Sequence, residues 1–180
     1  EGDIDRSLAM GFNGARLHQK VFEERFLYHC DRKGYIVWGE YPNWGLDHSY
    51  GDSVHGILPE WIEEVERDYN HPAIIGWCPF NETWDVNGRK QYDDVLRTVY
   101  LTTKALDPTR PCIDTSGNFH VITDIFDVHD YEQDVEKFHS HYEHLTEGIL
   151  EDSIYRNESM RERQKYNGTD PTFVSEYGGI

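Results

Sequence analysis

Residues Ile74-Ile75-Gly76-Trp77-Cys78-Pro79-Phe80-Asn81-Glu82 decide the fold. The apolar body reads as a buried strand, and it ends abruptly in an amide and a carboxylic acid. The same event recurs near the C-terminus, where Pro171-Thr172-Phe173-Val174-Ser175 runs into Glu176-Tyr177-Gly178-Gly179. A strand that buries its body and presents an acid at its C-terminal tip is how parallel α/β barrels build active sites.

Further strand-like runs lie at 14–17, 35–38, 111–114 and 122–128, beside the two already quoted at 73–78 and 172–174. Between them the apolar spacing turns helical. Helices are expected at 3–10, closed by Gly11, and at 22–32, closed by Gly34. Others are expected from Pro59, taken as a first-turn residue, to about 69, at 92–106, and from 135 to about 150. Residues 152–170 are polar and weakly periodic, part helix and part loop. Alternating β and α elements with near-continuous apolar strands imply a parallel sheet. A dinucleotide-type sheet would need a glycine-rich phosphate loop after an early strand. The turn after Leu17 is His18-Gln19-Lys20 and holds no glycine. The expected architecture is therefore an incomplete (β/α)8 TIM barrel covering about strands 2 to 7, with residues 1–180 as one partial catalytic domain.

The bulk composition fits a folded domain: 180 residues, 37% hydrophobic and 14% aromatic. Against 17 basic residues stand 34 acidic ones, a net charge of −17. Such a surface repels polyphosphate and anionic bilayers, so nucleic acid and membrane are excluded as partners. No apolar run approaches the roughly 20 residues that span a bilayer. Cys30, Cys78 and Cys112 form no CxxC pair and read as buried free thiols, which favours a reducing compartment such as the cytoplasm. The chain opens on Glu1 without an initiator Met and is expected to be a piece of a longer protein. Most of its five Trp and twelve Tyr are assigned to the core, although sugar sites also use flat aromatic faces.

Six strand ends carry polar or aromatic groups: His18, Glu40, Asn81-Glu82, Ser116 with Asn118, His129-Asp130-Tyr131, and Glu176-Tyr177. A lone acid after a strand is as often a helix cap or a turn residue. Six such tips along one barrel face point instead to a site. Two carboxyl groups on different strands suit glycoside hydrolysis, and a retaining enzyme holds them roughly 5–5.5 Å apart. Glu82 would be the proton donor, set among the apolar Trp77, Phe80 and Trp84. Glu176 would be the ionised partner, with the Tyr177 hydroxyl favouring its charged form.

His71-Pro72-Ala73-Ile74-Ile75-Gly76-Trp77 followed by Asn81-Glu82 resembles the acid/base motif of glycoside hydrolase family 2. That family includes β-galactosidases, β-glucuronidases and β-mannosidases. Residues 11–18, 31–40, 107–111 and 171–178 match further segments in family order. The resemblance implies that Glu82 is the acid/base and Glu176 the nucleophile. It implies that Asn81 bonds the sugar 2-hydroxyl and that Tyr177 orients the nucleophile. His18, Glu40, His129 and Tyr131 would contribute to the sugar subsite. Where magnesium-binding galactosidases place acidic and His ligands, this chain reads Tyr41-Pro42-Asn43-Trp44-Gly45, so neither metal nor cofactor is expected.

The expected activity is hydrolysis of terminal β-glycosides with retention, β-galactosidase-like, on a β-glycoside or oligosaccharide substrate. Two alternatives stay open. One is a silent barrel fragment that only binds sugar or assembles with another chain, as a homo-oligomer or with the remaining domains of a longer protein. The other is a different two-carboxylate β-glycanase on the same barrel. His139, His141 and His144 cluster with Glu143, but their spacing does not share one helical face, and a solvated surface is the expectation. Asn81-Glu82-Thr83, Asn157-Glu158-Ser159 and Asn167-Gly168-Thr169 fit the glycosylation pattern without specificity. The charge run at 158–165 reads as a solvent-facing helix.

Overall fold

A computed structural model describes residues 1–83, 90–117, 119–150 and 163–178. Trp84, Asn118, the 157–159 glycosylation pattern and most of the 158–165 charge run lie outside the described residues.

Helix α1 (Gly2–Ala9) leads into strand β1 (Gly14–Arg16), and α2 (Glu24–Lys33) into β2 (Ile36–Glu40). Helix α3 (Val54–Asp68) then leads into β3 (Ile74–Cys78) and β4 (Phe80–Asn81). Helix α4 (Asp93–Leu106) precedes β5 (Thr115–Ser116) and β6 (Phe126–Asp130). The short α5 (Val135–Ser140) and the final strand β7 (Thr172–Tyr177) complete the order. All pairings are parallel: β1 with β2, β2 with β3, β4 with β5, and β6 with β7. Trp77 bridges to Cys112, so β3 and β4 are one barrel strand interrupted at Pro79, which has no N–H to give a ladder. The Asp124 N–H on the Cys112 carbonyl (3.0 Å) joins the β5 side to the β6 side. The result is an open arc of six parallel strands whose tips point one way. Among the described residues neither β5 and β6 nor β1 and β7 share a ladder, and a cleft of about 500 Å³ opens between the bodies of β1 and β7, lined by Phe12, Trp38, Phe173 and Tyr177.

Reciprocal packing ties β2 to β3. In register, Trp38 faces Gly76 and Gly39 faces Trp77. A Cβ on Gly76 would come within 2.1 Å of the Trp38 ring, and one on Gly39 within 2.7 Å of the Trp77 ring. Each glycine makes room for the neighbouring indole, one on each face of the sheet. Trp77 goes to the helix side with Trp61, Phe80, Leu96 and Val99. Trp38 goes to the interior with Cys78 and Ile113, stacked on Phe173 at 6.1 Å between ring centroids.

Several boundaries differ from expectation. Helix α3 starts at Val54, so Pro59 lies inside it and not in its first turn. The apolar positions Ile57, Trp61 and Val65 bury its inner face, and that burial outweighs the backbone bond that a proline forgoes. Helix α5 ends at Ser140, followed by turns and by Gly148 in the left-handed region, in place of a helix to 150. Residues 111–114 carry only the Cys112 bridge, because Asp114 turns its carboxylate onto the Val121 and Ile122 N–H groups. Strand β6 begins four residues later than expected, and β7 extends on to Tyr177.

Candidate active site

The tips of β2, β4, β6 and β7 converge on Arg16, the last residue of β1. Its guanidinium reaches Glu40 Oε1 through Nε (2.5 Å), Glu176 Oε1 through Nη1 (2.7 Å) and Asn81 Oδ1 through Nη2 (2.8 Å). One nearly buried cation therefore ties β1, β2, β4 and β7 together. Planar donors in a fixed fork make arginine suited to that task.

Glu82 follows β4 with φ of 52°, a left-handed conformation that costs a non-glycine residue about 1–3 kcal/mol. Its N–H donates to the Ser116 carbonyl (2.9 Å), and its Oε1 lies 2.9 Å from His129 Nδ1. His129 Nε2 lies 3.3 Å from Glu176 Oε1. Oxygen atoms of Glu82 and Glu176 and a nitrogen of His129 all fall within 4.8 Å of one another. Both carboxylates are about a quarter or less exposed.

Glu176 Oε2 accepts the Tyr131 hydroxyl. Burial would raise the Glu176 pKa, but the Tyr131 bond, His129 and Arg16 outweigh it and hold the carboxyl below its ordinary value. Burial and the bond to Glu176 push the Tyr131 phenol up. Asn81 is fixed by Asn43, whose Oδ1 accepts the Asn81 N–H (2.9 Å) and whose Nδ2 donates to the Asn81 carbonyl (3.1 Å). With its Oδ1 held by Arg16, Asn81 keeps a buried Nδ2 without an acceptor. An unsatisfied buried donor at a site suits a ligand hydroxyl. His18 is 42% exposed, 3.6 Å from Glu40 and 3.7 Å from Glu176, and edge-on to Trp44. Glu40 draws its imidazole above the ordinary value, against burial and with help from Glu176.

Some expected residues sit elsewhere. Glu40 is buried and is the counter-ion of Arg16. His129 lies under the two carboxylates and does not line the opening. Tyr177 alternates to the other face of β7, 66% exposed at the cleft, and Tyr131 takes the contact with Glu176. Trp77 and Phe80 belong to the helix-side core, with Trp77 Nε1 on Asp107 (2.9 Å), and do not wall in Glu82. His141 is bonded to Asp130, and His144 pairs with Glu143 and Glu147, so these two histidines have local carboxylate partners on the face where a solvated surface was expected. Arg16 and Asn43 were not singled out by the sequence reading. The usable signal for Arg16 was a lone cation inside a strand of small and apolar residues.

Residues 2–179 match the family model for glycosyl hydrolases family 2, TIM barrel domain. The chain belongs to glycosyl hydrolase family 2. The β-glucuronidase of Rattus norvegicus is 39% identical over 105 residues, which is 57% of this chain and 16% of that protein. That of Homo sapiens is 34% identical over the same shares. Among solved structures, a β-D-glucuronidase from Dictyoglomus thermophilum has 26% identity and a TM-score of 0.61, over 72% of this chain and 25% of that one. A β-galacturonidase from Eisenbergiella tayi aligns over 98% of this chain and 31% of its own, with a TM-score of 0.69 and 23% identity, which shows the fold alone. The family 2 match sets aside a different β-glycanase family. The named relatives are uronidases, where the motifs alone had suggested a β-galactosidase.

Proposed function

We propose that the family 2 protein to which this barrel segment contributes hydrolyses terminal β-glycosides with retention of configuration. The observation that carries the reading is the placement of Glu82 and Glu176 oxygens within 4.8 Å of each other. That spacing suits a nucleophile and an acid/base more than the ~6.5–9.5 Å of an inverting pair. Glu176, held ionised by Tyr131 and Arg16, attacks the anomeric carbon. Glu82 gives its proton to the leaving oxygen and then takes one from water. Asn81 Nδ2 bonds a sugar hydroxyl. The uronidase names of the relatives favour a β-glucuronide or β-galacturonide over a galactoside as substrate.

A panel of nitrophenyl β-glycosides, with the product anomer followed by NMR, tests the reading. Glu176→Gln should lower kcat by about four orders of magnitude while the circular dichroism spectrum stays unchanged. Hydrolysis at the wild-type rate would sink the assignment. Glu82→Ala should retain turnover of substrates with good leaving groups and be rescued by azide.

A second reading comes from the edges of β1 and β7, which pair with no further strand among the described residues. An arc with two open edges favours a chain that is silent by itself and acts only when other segments cover the cleft. Turnover by the isolated 180-residue chain would refute it.

A further inference from the structure

His129 sits between the two carboxylates, and the groups around it determine where its protons are. Its Nε2 faces Ser116 Oγ at 2.9 Å, Glu176 Oε1 at 3.3 Å and Arg16 Nη1 at 3.3 Å. Its Nδ1 faces Glu82 Oε1 at 2.9 Å. The Tyr131 ring lies edge-on to it. Groups on or just past β1, β4, β5, β6 and β7 thus meet the imidazole.

Ser116 has one hydroxyl proton, and a buried carboxylate claims it. Asp127 Oδ2 lies 2.6 Å from Ser116 Oγ and also accepts from Ser175 Oγ. The Gly117 N–H donates to both Asp127 oxygens at 3.1 and 3.2 Å. Asp127 is kept ionised from behind. His120, wholly buried, is wedged between Asp114 (2.8 Å) and Asp127 (3.0 Å). Burial alone would neutralise that ring, but the two carboxylates raise its pKa to about 10 and make it an imidazolium. An ionised carboxylate only accepts hydrogen bonds. Ser116 therefore donates to Asp127, and its oxygen is left to accept from His129. That requires a proton on Nε2. The Glu176 oxygen beside the same nitrogen asks for the same proton, and Arg16 has Glu176 as the acceptor for its nearby N–H.

With Nε2–H fixed, the only proton of this ring open to exchange lies on the Nδ1–Glu82 line. We propose that Asp127 and Ser116 are positioning residues that lock His129 in the Nε2–H form, so that Nδ1 and Glu82 share the acid/base proton. The inference rests on Glu82 being the acid/base. In the resting site one proton is held between Nδ1 and the carboxyl oxygen. In glycosylation the O–H bond of Glu82 breaks, and its proton goes to the leaving oxygen, which takes the electron pair of the breaking C–O bond. Glu82 is then a carboxylate against a bare Nδ1 lone pair. Two acceptors then face each other, and the pair is placed to take up the proton that the next step releases. In deglycosylation water gives its proton to the pair, its oxygen bonds the anomeric carbon, and the Glu176 carboxylate leaves with its electron pair.

The test has two arms. Long-range 1H–15N NMR of the histidine side chains reads the tautomer without turnover. The expected spectrum gives His129 a protonated Nε2 at every pH where the fold persists, and Ser116→Ala brings in the Nδ1–H form. A wild-type His129 with Nδ1–H and bare Nε2 overturns the inference. In the kinetic arm, Ser116→Ala should lower kcat about ten-fold with KM little changed, move the basic limb of kcat/KM by about one pH unit, and be rescued by Ser116→Thr. An unmoved profile in both Ser116→Ala and Asp127→Asn, each with a native circular dichroism spectrum, also overturns it. The acid/base reading fails separately, through Glu82→Ala that azide does not rescue.

Discussion

The helix-facing and interior sides of the strand arc are equally buried and chemically opposite. Toward the helices lie Ile57, Trp61, Val65, Trp77, Phe80, Leu96 and Val99, all nearly inaccessible. Full burial of such side chains contributes about 1.5–3 kcal/mol each. Its indole N–H groups are satisfied, Trp61 Nε1 on Thr103 Oγ1 at 2.8 Å and Trp77 Nε1 on Asp107 Oδ2 at 2.9 Å. Toward the interior and the tips lie Glu40, Asp114, Ser116, His120, Asp127 and His129, just as inaccessible. There a short apolar layer of Trp38, Cys78 and Ile113 supports a net of charges. A buried ion pair gains little over an apolar pair, but breaking one is costly. The helix side therefore supplies stability, while the interior side spends part of it to hold two carboxylates together.

The widest test of that contrast sets Arg16→Met against Leu96→Ala. Arg16→Met leaves Glu40 buried without its counter-ion and should cost about 3–5 kcal/mol, with loss of turnover as Glu176 and Asn81 come loose. Leu96→Ala should cost about 2–5 kcal/mol by opening a cavity, with kcat unchanged for the folded fraction. Urea unfolding and initial rates on the same samples separate the two. Equal loss of kcat in both would erase the distinction between the sides.

The helix side was the legible one. Apolar positions at helical spacing in 93–106, and the run at 74–78, follow directly from burial of one face and appear where expected. The pairing of Trp with Gly across β2 and β3 was not legible, because it depends on register between strands far apart in sequence. The carboxylates at the ends of β4 and β7 announced themselves by ending apolar runs. Arg16, Ser175 and Asp127 did not, since each sits mid-pattern and gains meaning only from the tips it touches. Tyr131 and Tyr177 show the limit most clearly. Both are one residue past a polar tip, and the alternation of side chains along a strand, offset by the bulge between Val128 and His129, decides which hydroxyl meets Glu176.

Tyr131→Phe sharpens the comparison at a single bond. The ring stays and the hydroxyl donated to Glu176 goes. Glu176 then loses the strongest of the influences that lower its pKa, so the acid limb of kcat/KM should move upward. The rate should fall about 100-fold, the usual scale for one preorganised donor. An unshifted acid limb would mean that Arg16 and His129 suffice. The folded-state lowering also adds stability present above the ordinary carboxylate range and lost as pH falls through the Glu176 pKa, so Tyr131→Phe should weaken resistance to acid.

The smallest expected effect is a slope. His120 has a folded pKa of about 10, against about 6.5 for an unfolded imidazole. A raised pKa means that the folded state binds the extra proton, so the stabilisation is complete below about pH 6.5 and drains away as pH rises towards 10. The slope is at most about 1.4 kcal/mol per pH unit. Glu64 acts in the same direction. Burial first, and Asp68 second, raise its pKa to about 9, so its proton too is lost on the alkaline side. The two lie on opposite sides of the arc, Glu64 on helix α3 and His120 in the interior net, and variants tell them apart. Glu64→Gln removes one contribution and leaves the His120 slope, whereas His120→Gln or Asp114→Asn flattens the other. Urea midpoints at pH 6, 7, 8 and 9 for each variant read the result. Should His120→Gln leave the wild-type slope intact while still folding, the ring is neutral in the native protein. Asp127 would then be left with the Gly117 N–H and the two serine hydroxyls to hold its charge, and the hold on the Ser116 proton would weaken.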